Sequence, residues 1–265
     1  MNLIKIIDDL QLDKIDQEEF LKPAMRRGLF KKAGDFSLKA ALTSIPFALI
    51  AMPKIVKAAT SDAVSEALTF ALRLEYLERE FYKLGLAAPN LIPSTDKPIF
   101  DQIYKHEMQH VLFLEKNLSV PADSKKEIYD FTAGGKFPAF TDYNVFKALA
   151  QAFEDTGVRA YKGQAGNVAP SHPFLTAALQ IHSVEARHAS AIRRLRGIKG
   201  WISNNERSTG MPVETQPVYD GEENLTQGGV NITGLSGISN ANLTEAFDEP
   251  LTMAQVLAVA GLFIK

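Results

Sequence analysis

Apolar residues recur at three- and four-residue steps through four segments between residues 62 and 196, the period of helices with one buried face. Asp62 can cap the first, which runs to about Leu84 with Leu68, Ala71, Leu72, Glu75 and Tyr82 on one stripe. Gly85 and APNLIPSTDKP end it. A second helix starts near Pro98 and carries Ile103, Glu107, His110, Val111 and Leu114 before Pro121. A third begins at Thr141 or Asp142, carries Phe146, Ala150, Glu154, Val158 and Tyr161, and stops before Gly163 and Gly166. The fourth opens at Ser171, its expected cap, with Pro173 in the first turn, and continues through Ile181, His182, Glu185, His188 and Ile192 to Gly197.

No region sustains the strict alternation of a sheet. Residues 119–140 hold Pro121, Gly134, Gly135 and Pro138, too much for a tight turn, so the expected fold is all-α: a four-helix bundle with one long crossover. The expected divisions are an N-terminal segment over 1–60, the bundle over 61–197, a polar extended loop over 198–243 and a docking helix over 244–265. Thr252 is the expected cap of that last helix.

Two readings fit the N-terminal segment. Arg26 and Arg27 precede Leu29, Phe30 and Lys31, and an apolar run follows from Ala40 to Pro53, a pattern similar to a twin-arginine export signal. The run contains Pro46 and is shorter than the roughly 20 residues of a membrane span. Export to the periplasm is the preferred expectation, with membrane contact only through this segment; an N-terminal helix packed on a cytoplasmic domain is the alternative.

Composition narrows the chemistry. The 265 residues carry 29 basic and 31 acidic side chains, so nucleic acid is not an expected partner. There is no cysteine, which excludes disulfides, iron–sulfur clusters, thiolate zinc sites and cysteine nucleophiles. Any metal site must be built from His, Asp and Glu, favouring iron, manganese or zinc.

The bundle then supplies an internal repeat. Glu75 and Tyr82 on the first helix recur as Glu154 and Tyr161 on the third, 79 residues on. Glu107-x-x-His110 on the second recurs as Glu185-x-x-His188 on the fourth, 78 residues on. A three-residue step puts Glu and His on one helix face. Each Glu also lies about as far from its interhelical turn as its hairpin neighbour does, so antiparallel packing brings four carboxylates and two imidazoles into one layer. Four buried carboxylates would repel one another and cost several kcal/mol each. Two divalent cations offset their charge.

The set Glu, Glu-x-x-His, Glu, Glu-x-x-His on such a bundle resembles the ferritin-like di-iron carboxylate superfamily. The stretches ALRLEYLEREFYKLGL, HEMQHVLFL, AFEDTGVRAY, VEARHASAIRR and EAFDEPLT resemble, more narrowly, the bacterial ferritin-like domain family related to plant desiccation-related proteins. The resemblance implies terminal metal ligands at Glu75 and Glu154, bridging ligands at Glu107 and Glu185, and one metal each for His110 and His188. It places Tyr82 and Tyr161 beside the site, where either can supply a hydrogen bond or an electron. The expected cofactor is two iron ions, or alternatively two manganese ions, with oxygen or peroxide as reaction partner. The expected activity is oxidation of ferrous iron in iron handling or oxidative or desiccation stress. A dimanganese catalase-like enzyme and a non-catalytic stress-protective protein are the alternatives, and a homo-oligomer is open.

Other polar residues receive blander expectations. Glu78 reads as a solvated or salt-bridged residue, with an extra ligand as the second reading; Asp155 reads as a surface charge. His182 is either a further ligand or orienting group for Glu185, or a core histidine bonded to backbone. His106 faces a neighbouring helix or solvent, and His172 is structural. Arg187, Arg193, Arg194 and Arg196 form a solvated outer face.

Overall fold

The computed structural model describes residues 62–265 except Lys126. The twin-arginine-like pattern and the apolar run lie outside the described residues. Four long helices make the bundle: α1 (Asp62–Ala87), α2 (Lys97–Leu118), α3 (Tyr143–Val168) and α4 (His172–Leu195). Pairings across the helices fix their directions. Tyr76 meets Glu115, whereas Tyr82 lies against Phe100, so α1 and α2 are antiparallel. Lys147 reaches Leu195 while His182 reaches Val158, which makes α3 and α4 antiparallel as well. The segment from Ser119 to Asp142 crosses from one hairpin to the other, giving the all-α bundle with one long crossover.

Local chemistry accounts for the helix ends. Asp142 caps α3 by accepting from the backbone N–H groups of Asn144 and Val145. Pro98 and Pro173 occupy the first turns of α2 and α4, where the missing N–H costs nothing. Ser171 stands at the α4 cap position, yet its side chain makes no capping bond.

Three glycines expected to end helices lie inside them. α1 passes Gly85, and α3 passes Gly163 and Gly166 before stopping at Val168. Close packing explains two of them. A Cβ at Gly85 would sit 2.2 Å from the Phe146 ring, and one at Gly163 would sit 1.9 Å from the Leu251 carbonyl oxygen. Each glycine is therefore a place where another element approaches the helix backbone.

The crossover is part of the core. Its Phe131, Phe137 and Ala139 are buried, and Phe81 of α1 contacts Phe131, Phe146 and Phe153 in one aromatic cluster. Phe263, near the C-terminus, completes it against Phe153. The crossover also pairs with the chain end: Asp130 N–H donates to Phe263 O and Lys265 N–H to Ile128 O, each at 2.8 Å.

The polar segment after α4 is draped over the bundle. It holds short 3-10 turns, a two-residue antiparallel pair (β1, Thr226–Gln227; β2, Val230–Asn231) and a short helix α5 (Asn240–Thr244). The last helix, α6 (Met253–Ala260), starts with Thr252 and Gln255 in a reciprocal capping box and buries Val256 and Val259. Among the described residues no helix is long and apolar enough to cross a membrane.

Two buried arginines hold this segment down, and one of them, Arg193, corrects the picture of a solvated outer face. Arg159, fully buried, donates to the carbonyls of Val218, Asp220 and Glu249 and pairs with Glu222 at 2.7 Å. Arg193, expected on the outer face, is buried and grips both oxygens of Asp155 at 2.6 and 3.2 Å. Asp155 in turn accepts from Tyr219 at 2.8 Å. It is an interior anchor and not a surface charge, because a segment without helical period supplies the partner that covers it.

Candidate metal centre

Each bundle helix sends one glutamate to the same depth. Glu75, Glu107, Glu154 and Glu185 are all 0% exposed. Their oxygens and two histidine nitrogens form two overlapping groups, Glu75–Glu107–His110–Glu185 and Glu107–Glu154–Glu185–His188, in each of which the facing atoms lie within 4.8 Å of one another. The three-residue steps 107–110 and 185–188 are what turn Glu and His to one face.

The contacts separate the four carboxylates into two kinds. His110 Nδ1 lies 3.2 Å from Glu75 Oε2, 3.2 Å from Glu107 Oε2 and 3.1 Å from Glu185 Oε1. His188 Nδ1 lies 2.9 Å from Glu107 Oε1, 3.1 Å from Glu154 Oε2 and 3.3 Å from Glu185 Oε2. Glu107 and Glu185 thus face both histidines, one oxygen to each. Glu75 faces only His110, and Glu154 only His188.

The outer oxygens of the one-sided pair are bound by tyrosines from across the bundle. Tyr82 on α1 donates to Glu154 Oε1 on α3, and Tyr161 on α3 donates to Glu75 Oε1 on α1. Burial, reinforced by those carboxylates, holds both phenols well above their usual pKa. They are therefore neutral hydrogen-bond donors near pH 7.

Crowding of negative charge sets the remaining protonation. Burial pushes Glu154 up to about 7 and raises Glu107, the latter further through Glu185. Burial also works against ionised Glu185, but the closeness and positive charge of His110 and His188 outweigh it and lower its pKa. Burial disfavours charge on the two histidines, and the surrounding glutamates reverse this, raising both. In the protein alone, each Nδ1 faces three carboxylates, a grouping able to hold a cation.

The donor set fits a pair of hard or borderline divalent ions. Glu107 Oε1 and both oxygens of Glu185 are buried with no hydrogen-bond partner: the imidazole nitrogens are near, but at angles that form no hydrogen bond. Orphaned buried carboxylate oxygens facing imidazole nitrogen are what oxygen- and nitrogen-seeking ions take up.

Of three neighbours, Glu78 departs from expectation, while His106 and His182 each follow a reading given to them. Glu78, one turn beyond Glu75, is buried rather than solvated. Its pKa is raised by burial and then by the four site glutamates. Room for it comes from Gly157, where a Cβ would lie 3.2 Å from Glu78 Oε1. Glu78 also borders a cavity of about 10 Å³ lined by Leu74, Phe153 and Thr156. His106 lies against His188, with Nδ1 2.9 Å from its Nε2, and burial lowers its pKa. His182 bonds to the Val158 carbonyl oxygen at 3.0 Å, the backbone-bonded of its two readings. The sequence carries only faint signs of the first two: Glu78 repeats the Glu75 step, and His106 lies one turn beyond Gln102.

A family model described as "Ferritin-like domain" matches residues 63–197, the stretch that holds all four bundle helices and the six clustered residues. No curated protein matches the chain.

Proposed function

Because the chain belongs to the ferritin-like domain family and encloses four carboxylates with two imidazoles, we propose that it is a di-metal protein, with iron the native ion, that oxidises ferrous iron with oxygen or peroxide. The observation that carries this reading is the sharing of Glu107 and Glu185 between two clusters. Two overlapping cages with common walls are suited to two ions, whose charge of +4 offsets four glutamates.

Glu75 and Glu154 would serve as terminal ligands, Glu107 and Glu185 as ligands shared by both ions, and His110 and His188 as one ligand each through Nδ1. A bound iron pair supplies one-electron steps between the ferrous and ferric states to a small oxidant. The chain's own residues set the conditions. Tyr82 and Tyr161 fix the terminal carboxylates from behind by hydrogen bonds, and each is placed to give up an electron. The full burial of all four glutamates keeps bulk water away, which strengthens every charge interaction inside.

Carboxylate and imidazole donors also suit manganese, so a catalase-like dimanganese enzyme is the second reading. The likeness of HEMQHVLFL and VEARHASAIRR to the desiccation-related branch supports a role in stress. The twin-arginine-like residues support export. Anaerobic loading of the metal-stripped protein with ferrous ion tests the main reading. Two ions per chain and oxygen or peroxide consumption are expected; fewer than two ions, with no consumption, defeats it. Oxygen release from peroxide by the manganese-loaded protein alone would favour the second.

A further inference from the structure

The two halves of the centre match in their inner layer and differ behind it. His110 and His188 are equivalent in the repeat, and both turn Nδ1 toward the glutamates. Behind His188, Nε2 lies 2.9 Å from His106 Nδ1, and the two rings meet edge to edge, with centroids 5.1 Å apart and planes 12° apart. His106 Nε2 continues outward to the exposed side-chain amide of Gln102, 2.6 Å away. The residue in the matching place of the other half, 78 positions on, is Val184, which has no side-chain hydrogen-bonding group. Among the described residues no hydrogen bond reaches His110 Nε2.

Chemistry gives this chain of groups a direction. When Nδ1 of His188 is committed to the centre, its ring proton sits on Nε2 and must be donated outward. His106 Nδ1 is the acceptor, and the Gln102 amide, able to present oxygen or NH2, meets the far nitrogen of His106. A histidine whose outer N–H is held has a fixed tautomer and a fixed ring angle. A histidine without that partner must be ordered at the moment it binds. Loss of an outer partner of this kind typically costs about 10–100-fold in metal affinity.

We propose that His106 is a positioning residue that makes the two ion positions unequal, so that the one at Glu154 and His188 fills first and holds its ion more tightly than the one at Glu75 and His110. This rests on the di-metal reading. The asymmetry arises on one face of α2, where His106 adjoins Glu107 in sequence, while the shared glutamates are common to both positions.

The test is calorimetric titration of the metal-stripped full chain with Mn(II), paralleled by Co(II) absorption. The wild-type chain is expected to bind two ions in two resolved steps. His106→Val, which copies the other half, should weaken the tighter step about 10–100-fold, leave the weaker step in place and keep two ions per chain. His106→Gln, which retains an acceptor, should recover most of the loss, a rescue that a purely packing role would not show. Should valine disturb folding, as read by thermal unfolding, His106→Ala reads the same step. An unchanged tight step in the valine variant, equal weakening of both steps, two equal steps in the wild type, or no rescue by glutamine overturns the proposal and leaves the di-metal reading standing. A wild-type chain that binds fewer than two ions removes both.

Discussion

Tyr161 on α3 donates its phenolic proton to Glu75 on α1, and its repeat partner Tyr82 on α1 donates to Glu154 on α3. The two hairpins are thus tied across the centre by reciprocal bonds to Glu75 and Glu154, the two glutamates that each face a single histidine. Each bond satisfies one buried carboxylate oxygen and leaves the other facing a histidine.

Removing one hydroxyl should therefore affect one ion position. Tyr161→Phe strands Glu75 Oε1 in the core, a loss of about 1–3 kcal/mol for a buried acceptor. Metal titration should show the Glu75–His110 position weakened about 10–100-fold with the other unchanged. Tyr82→Phe should show the reverse pattern. Equal weakening of both positions by either variant would mean that the tyrosines act on the bundle as a whole.

The division between shared and one-sided glutamates predicts stoichiometry. Glu75→Gln and Glu154→Gln each disturb one cage, so elemental analysis should find about one ion per chain in place of the two proposed. Glu107→Gln and Glu185→Gln each remove a wall common to both cages, and occupancy should fall toward zero. Four variants with the same occupancy would contradict the geometry.

The parts legible in the sequence are those governed by short-range period and repetition. Apolar stripes marked the four helices, and the duplicated Glu, Tyr and His offsets marked the layer where the helices meet. The features it hid depend on contacts from far along the chain. Gly85 and Gly163 carry the local signature of helix ends, and only Phe146 and Leu251 pressing against them show why they stay helical. Asp155 and Arg193 look like surface charges until Tyr219 and the Trp201 carbonyl are brought onto them by a segment with no period of its own. For His106 the spacing along α2 allowed a neighbouring helix or solvent, but it does not specify the direction of the ring nitrogen that meets His188.

Burial of carboxylates makes stability depend on pH in a definite sense. Glu154 titrates at about 7 in the folded metal-free protein against 4.5 ordinarily, chiefly through burial, and Glu107 is raised by the same cause. The folded state therefore retains protons that the unfolded chain has already released. The stability this contributes is complete below about pH 4.5 and is lost as pH rises through about 7, at about 1.4 kcal/mol per unit of elevation. Glu185 is shifted the other way by His110 and His188, and its contribution changes only below pH 4.5. Melting temperatures of chelator-treated protein should fall across this window. Metal-loaded protein should lose the fall, because bound ions favour ionised ligands and their affinity grows as pH rises. A flat metal-free profile would mean that the glutamates ionise without penalty.

Two glycines three residues apart on α3 separate helix propensity from close approach. At Gly163 a Cβ would lie 1.9 Å from Leu251 O and 3.0 Å from Leu251 C, both backbone atoms. That backbone cannot simply swing aside, since Leu251 N–H donates to Arg159 O at 3.1 Å and Arg159 is itself pinned by three carbonyls and Glu222. Gly163→Ala must push the Leu251 segment off the bundle or bend α3, an overpacking cost of about 1–3 kcal/mol or more. At Gly166 nothing lies within 4 Å of the added carbon, and the residue is helical. Gly166→Ala should therefore gain about 0.5–1 kcal/mol from the unfolded chain's lost freedom. Thermal and urea unfolding of the two variants should move in opposite directions. If Gly163→Ala is as stable as wild type, Leu251 is not seated on α3, and the polar segment after α4 is not the fixed cover that Arg159 and Arg193 make of it.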